Sequence, residues 1–213
     1  MAKIKYIFRD FRWTVTKLDI KKYGYVSSLS RIYKLPKGEL RIALVDPIAK
    51  FRRGEITEDK FRKELSINLN VPMPVGKSNF FLFNTPAQEY AEQYKSVINF
   101  INKLKNLWYK NVLLSDDYKP QVKKLKEIWR YKPFDSIVVS CDVWLSKRDD
   151  ITNDTTEIFD YTLKKYWINS NECIFVDDKE ANCIAAEKTW IKSIVFLSPR
   201  QAIKDVKNIL KIK

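Results

Sequence analysis

Four short runs of β-branched and other apolar residues, each closing on or just before a polar side chain, constrain this chain more than any other feature. They are Asn111-Val112-Leu113-Leu114-Ser115, Ile137-Val138-Val139-Ser140, Cys173-Ile174-Phe175-Val176-Asp177 and Ser193-Ile194-Val195-Phe196-Leu197. Strands buried on both faces read as unbroken apolar runs rather than as alternation. Helical periods lie between them, and that order predicts an α/β domain built on a parallel sheet. Val122, Leu125, Ile128 and Trp129 keep a 3.6 period. Asp154 with Glu157 reads as a capping box opening a helix that carries Ile158, Phe159 and Leu163. Ser198-Pro199 opens a last helix with the stripe Ile203, Val206 and Leu210.

The first half differs. One strand, Ile4 to Arg9, precedes some ninety residues of mainly helical pattern, too long for a loop. Leu40, Ala43, Leu44, Ile48 and Phe51 predict one helix, bent at Pro47. Phe61 and Leu65 predict a second starting near Thr57, and Tyr94, Val97, Ile98, Ile101 and Leu104 a third. Val71-Pro72-Met73-Pro74 and Phe80-Phe81-Leu82-Phe83 lie between the last two. The expected division is a parallel-sheet core of residues 1–15 and 108–213, with a helical insert over 16–107.

Composition narrows the chemistry. The 213 residues hold no histidine, so Ser-His-Asp and Cys-His nucleophilic machinery and histidine-ligated metals are excluded. Carboxylates, hydroxyls, Lys and Arg are left. Three cysteines without CxxC spacing read as buried thiols. No apolar run approaches a membrane span, and the start lacks a signal-peptide core, so a cytoplasmic protein with no membrane partner is expected. Of the net charge of +14, +11 lies in residues 1–107. The basic residues form no aromatic-interleaved recognition motif, so a solvated lysine surface is preferred to a nucleic-acid partner.

Ligands of a parallel sheet bind beyond the carboxyl ends of its strands. The polar residues there are Asp10, with Arg12 two residues on, then Ser115, then Lys147 after the third strand, and Asp177-Asp178. A carboxylate nucleophile, a hydroxyl, a cation and an acidic pair in one crevice suit Mg²⁺ and a phosphoryl group. This order resembles the haloacid dehalogenase (HAD) superfamily. Ile174-Phe175-Val176-Asp177-Asp178-Lys179-Glu180-Ala181-Asn182 is similar to its hhhDDxxxN signature, and Phe134-Asp135-Ser136-Ile137-Val138-Val139-Ser140 with Lys147 to its approach to the third motif. The insert, with Phe51-Arg52-Arg53-Gly54-Glu55-Ile56-Thr57-Glu58-Asp59-Lys60-Phe61, resembles the small helical cap of the phosphoserine-phosphatase-like subgroup.

The resemblance implies a Rossmann-like HAD fold and a Mg²⁺-dependent phosphatase for a small phosphorylated metabolite. It makes Asp10 the nucleophile that forms an aspartyl-phosphate. Ser115, the adjoining Asp116 and Lys147 would hold the substrate, and Asp10, the Arg12 carbonyl, Asp177 and Asp178 the metal. Three departures stand out. Arg12 occupies the place of the family's general acid/base Asp, and an arginine stays protonated at any working pH. Arg9 replaces a Phe before the nucleophile, and Arg148 a Pro after Lys147. Arg12 therefore also raises an alternative, a catalytically impaired relative that binds a phosphorylated ligand or nucleic acid, and a dehalogenase ranks below it. The cap residues Lys50, Arg52 and Arg53 are candidate contacts for an anionic substrate.

All six tryptophans, Trp13, Trp108, Trp129, Trp144, Trp167 and Trp190, fall where the resembling family tends to have glycine. The chain has only 4 glycines, about 2% against a usual ~7%. This pattern raises the expectation that the six are UGA codons which the source organism reads as glycine.

Overall fold

A computed structural model describes residues 3–12, 14–17, 25–73, 92–128 and 130–212. Five strands form one sheet: β1 (Tyr6–Arg9), β2 (Lys110–Ser115), β3 (Ser136–Val139), β4 (Cys173–Asp177) and β5 (Lys192–Val195), in the order β3-β2-β1-β4-β5. Every neighbouring pair is parallel. The register sets Arg9 against Leu113 on one side and Val176 on the other, so the residues after β1, β2 and β4 emerge at the same edge.

Side chains alternate across this sheet as the period of two requires. Ile7, Leu113, Ile174, Val176 and Ile194 face one core cluster, and Phe8, Val112, Leu114, Val138 and Phe175 face the other. The first cluster is covered by helices α5 (Lys95–Asn106), α6 (Lys119–Glu127) and α11 (Pro199–Leu210) through Phe100, Leu104, Leu125 and Val206. The second is covered by α9 (Glu157–Tyr166) and α10 (Glu180–Glu187) through Ile158, Phe159, Cys183 and Ala186. Burying one such large apolar side chain contributes about 1.5–3 kcal/mol. The three cysteines are buried free thiols.

The insert has its own core. Helices α1 (Tyr25–Tyr33), α2 (Lys37–Ala43), α3 (Val45–Arg53) and α4 (Glu58–Leu69) enclose Leu29, Leu40, Leu44, Phe51, Phe61 and Leu65. Tyr118, from the loop after β2, joins that cluster and stacks on Phe51 with ring centroids 5.1 Å apart. Helix α5, counted with the insert by the sequence pattern, packs its Val97, Phe100, Ile101 and Leu104 into the sheet's first cluster. By packing, the boundary falls ahead of α5 rather than at residue 107.

Two local expectations are corrected. The helix through Leu40 and Phe51 is two helices, broken at Leu44 rather than bent at Pro47. Proline clashes with the carbonyl four residues before it, and that residue is Ala43, where α2 ends. The freed Ala43 carbonyl accepts a hydrogen bond from the Asn68 amide at 3.0 Å. The Asp154–Glu157 capping box is absent as well, because Asp154 ends α8 (Lys147–Asn153) in the left-handed region. Asp150 supplies the cap instead, accepting from the Glu157 and Ile158 N–H groups at 2.9 and 3.1 Å. The helices expected near Thr57 and at Ser198 start there: Thr57 accepts from the Lys60 N–H, and Ser198 accepts from that of Gln201, whose side chain completes a capping box. The Phe80–Phe83 run lies outside the described residues, as do Trp13 and Trp129. No described helix is long and apolar enough to cross a membrane.

Insert and core meet most tightly at Gly54, which ends α3 with φ 76°. A Cβ there would lie 2.4 Å from the Cys141 carbonyl oxygen in α7 (Ser140–Val143). Around it, Ser140 Oγ donates to the Arg52 carbonyl at 2.9 Å and Lys119 Nζ to the Gly54 carbonyl at 3.3 Å. Gly54→Ala is expected to cost about 2 kcal/mol from the left-handed backbone and the forced separation. In a thermal melt that is a fall of about 4–8 °C. An unchanged midpoint would show that this contact is loose.

Candidate functional site

Asp10 leaves β1 with its N–H donating to the Val176 carbonyl at 3.0 Å, so the end of β1 is tied to β4. The following turn folds back on itself. Thr14 Oγ1 donates to the Asp10 carbonyl, and the Val15 N–H to the Phe11 carbonyl at 3.1 Å. Asp10 is thereby presented at the sheet edge next to Asp177, the last residue of β4.

Lys147 joins them. It is the first residue of α8, and its side chain is only 2% exposed. Its ammonium donates to Asp10 Oδ1 at 2.7 Å, Asp177 Oδ2 at 2.6 Å and the Leu114 carbonyl at 3.1 Å. Burial alone would push this lysine's pKa down, but the charges of Asp10 and Asp177 outweigh it and hold the ammonium above its ordinary range. Asp177 has both oxygens engaged, since Oδ1 accepts from the Lys179 N–H at 2.9 Å and from Asn182 Nδ2 at 2.8 Å. Its place is to orient Lys147 and the loop after β4.

Asp178 stands next to it, half-buried, and the described residues place no hydrogen bond on its carboxylate. Burial, then the charges of Asp10 and Asp177, push its pKa up to about 6. Asp10, Asp177 and Asp178 each bring an oxygen to within 4.8 Å of the others. Three carboxylates and one ammonium leave a net charge of minus two, and a divalent cation on oxygen ligands balances that charge. The donor set therefore fits a hard divalent ion.

Ser115 ends β2, beside the Leu114 carbonyl that Lys147 contacts. It is 1% exposed, and its hydroxyl has no hydrogen-bond partner among the described residues. Buried polar atoms are nearly always paired, so an orphaned one invites a ligand. Asp116 is placed differently from a substrate contact. Its two carboxylate oxygens accept the N–H groups of Lys147 and Arg148 at 3.0 and 3.1 Å. It thus ties the free N-terminal donors of α8 to the end of β2.

Arg12 is engaged by another carboxylate. Its guanidinium donates to Asp117 Oδ1 at 3.0 Å, while its Nε is buried without a partner among the described residues. Asp117 is completely buried and also accepts from the Tyr131 hydroxyl at 3.3 Å and the Tyr118 N–H at 3.1 Å. Burial pushes the Asp117 carboxyl up to about 6 although Arg12 pulls it down. Sequence reasoning missed Asp117, which lies outside the motif pattern; an adjacent acidic residue beyond Ser115 was its only signal. Of the cap cations, Lys50 pairs with Asp46 at 2.7 Å and Glu64 at 3.6 Å, and Arg53 with Glu55 at 2.5 Å and Asp149 at 3.1 Å. Arg52 hydrogen-bonds to Tyr118. All three have protein partners.

No family model matches the sequence, and no curated protein matches it. Solved structures do. A predicted HAD-like family hydrolase from Porphyromonas gingivalis aligns over 100% of both chains at 20% identity with a TM-score of 0.74. A HAD family enzyme from Bacteroides thetaiotaomicron aligns over 91% of this chain and 94% of its own at 19% identity, with a TM-score of 0.73. That enzyme has also been solved in complex with magnesium and inorganic phosphate, in a structure matching 90% of this chain and 93% of its own at 19% identity and a TM-score of 0.69. An L-2-haloacid dehalogenase aligns over 99% and 100% at 14% identity, with a TM-score of 0.60. At these identities the likeness is one of fold.

Proposed function

We propose that this chain, which has the fold of the HAD-like hydrolases, is a Mg²⁺-dependent phosphatase acting on a small phosphorylated metabolite under a small helical cap. The observation that carries this reading is the buried hydroxyl of Ser115, unpartnered among the described residues, at the same sheet edge as the Lys147-bridged carboxylates. The magnesium and phosphate complex of the Bacteroides thetaiotaomicron enzyme supports it by analogy of fold.

In this reading Mg²⁺ would be held by Asp10, Asp178 and the Arg12 carbonyl, with Asp177 in support. When bound, the cation screens the repulsion between a carboxylate nucleophile and a phosphate dianion. Asp10 keeps Oδ1 on Lys147, which leaves Oδ2 to attack phosphorus. The new O–P bond gives an aspartyl-phosphate, the ester P–O bond breaks, and its electron pair leaves with the alcohol oxygen. Ser115 and Lys147 hold the phosphoryl oxygens, the charge-stabilising part of the work. Water then attacks the phosphorus of the acyl phosphate, the P–O bond to Asp10 breaks with its electron pair returning to the carboxylate, the water's proton passes to solvent, and inorganic phosphate leaves.

The proton steps are where this chain departs. Arg12 cannot protonate a leaving alkoxide or take a proton from water. Substrates that leave without a proton, such as aryl or acyl phosphates, are therefore the class it should handle best. The same observation supports a second reading, a phosphorylated-ligand binder without turnover.

The test is Mg²⁺-dependent phosphate release from a panel of aryl, acyl and alkyl phosphates, with Asp10→Asn as the control. Turnover that vanishes in Asp10→Asn supports the enzyme. Phosphate binding without turnover supports the binder, and halide release from a haloacid would replace both readings with a dehalogenase. A separate expectation concerns pH. A ligand must be deprotonated to bind a metal, and the Asp178 carboxyl is pushed up to about 6. Mg²⁺ affinity should therefore weaken as pH falls through about 6, and Asp178→Asn should remove most of that dependence. Calorimetric titration on either side of that pH checks both.

A further inference from the structure

We infer that the tryptophans at 108, 144, 167 and 190 occupy glycine positions of this fold, and that the protein made by its own organism carries glycine there because the codon involved is read as glycine. The backbone carries the argument. All four described tryptophans lie in the left-handed region, with φ of 67°, 63°, 53° and 67° for Trp108, Trp144, Trp167 and Trp190. No described phenylalanine or tyrosine does, although the sequence has 12 and 11 of them. Left-handed backbone crowds Cβ against the following carbonyl, and glycine alone escapes that cost. An aromatic side chain has no local polar contact to offset it.

The hydrogen bonds have the glycine pattern as well. After α5 the Trp108 N–H donates to the Lys105 carbonyl and the Tyr109 N–H to that of Leu104. After α9 the Trp167 N–H donates to the Lys164 carbonyl and the Ile168 N–H to that of Leu163. These are paired closures of the Schellman kind, whose left-handed residue is usually glycine. The described glycine with a positive φ, Gly54, closes α3 with the same pair of bonds, to Phe51 and Lys50.

Burial gives an independent sign. Trp108, Trp144, Trp167 and Trp190 are 90%, 64%, 92% and 84% exposed, whereas tryptophan is highly buried on average. The four stand on different helix ends and build no core. They are residues the fold does not use as side chains. A single reassigned codon, TGA, explains why every described tryptophan is affected while the GGN glycines remain. Counting all six would bring glycine to ten in 213, about 5% and closer to the usual ~7%. Trp144 matters most to the site, because it closes α7 three residues ahead of Lys147.

Two measurements test this without relying on the proposed activity. The first reads the gene and sequences peptides of the protein purified from its source organism by mass spectrometry. TGA codons with glycine in the peptides are expected, and TGG codons or tryptophan in the peptides overturn the inference. The second compares thermal midpoints of the chain as written, a Trp→Gly variant at all four positions and a matching Trp→Ala variant. Alanine removes the same exposed aromatic surface but keeps Cβ. The glycine variant should melt about 8–16 °C above the chain as written, at about 2–4 °C for each relieved residue, and clearly above the alanine variant. Equal midpoints for glycine and alanine would mean that the backbone exerts no glycine demand, and the inference would fail.

Discussion

Arg12→Asp is expected to raise turnover of alkyl phosphomonoesters by about 10²–10⁴-fold, the usual contribution of a positioned general acid or base. The gain should be small for aryl or acyl phosphates, whose leaving groups need no proton. That contrast is the diagnostic part, since a variant that merely improved folding or binding would raise both classes together. The substitution also removes the partner of Asp117, which is completely buried and held at 3.0 Å from the guanidinium. A second carboxylate nearby would push both upward and destabilise the fold. The double variant Arg12→Asp/Asp117→Asn keeps the Tyr131 donor satisfied and removes the repulsion, so it is the cleaner measurement. Steady-state kinetics on matched alkyl and aryl substrates checks the split. A folded double variant with no gain on the alkyl ester would show that the position two residues after Asp10 does not limit this chain's chemistry.

Lys147→Met should be the most damaging single change to stability. Among the described residues Lys147 is the cation bound to both Asp10 and Asp177, whose oxygens lie 2.7 and 2.6 Å from it. Breaking a buried pair by deleting one partner costs about 3–5 kcal/mol, a fall of about 6–20 °C in the melting midpoint for a chain of this length. The sign of the pH effect follows. Without the ammonium, Asp177, whose carboxyl burial already pushes up, binds its proton more tightly folded than unfolded, so the variant regains stability as pH falls through that raised range. In the parent the linkage lies elsewhere. The raised Lys147 pKa gives stability that is fully present below about 10.5 and lost only as pH climbs through the folded value. Adding Asp10→Asn to Lys147→Met should recover part of the loss, and thermal melts of the four proteins form the cycle. Additive losses would mean that the two side chains are not energetically coupled.

The sheet and the strand-end residues were legible because both depend on short-range pattern. An apolar run of four to six residues and the polar residue that ends it are local facts, and parallel topology then brings Asp10, Ser115, Lys147 and Asp177 to one edge. What sequence could not supply were pairings across long separations. Asp117 reads as one more acidic loop residue until Arg12, 105 positions away, is seen beside it. Asp150 was overlooked as the cap of α9 because it acts across seven and eight residues, whereas the expected box spans three. The break at Leu44 required knowing that proline's clash acts four residues back and that Asn68 would take the freed carbonyl. The placement of α5 with the core rather than the insert depends on which apolar surface its stripe meets, and an amphipathic period is silent on that.

Tyr118 lies three residues after Ser115 on the same loop, and its ring is stacked on Phe51 of the insert. The loop that would grip a phosphoryl oxygen is thus also the seat on which the helical insert rests. A shift of Phe51 on that seat would act on the peptide that carries the Ser115 hydroxyl, and a ligand held by that hydroxyl would act on the seat. Linkage makes such effects equal in both directions. Occupancy at Ser115 and the resting position of the insert would then report on each other.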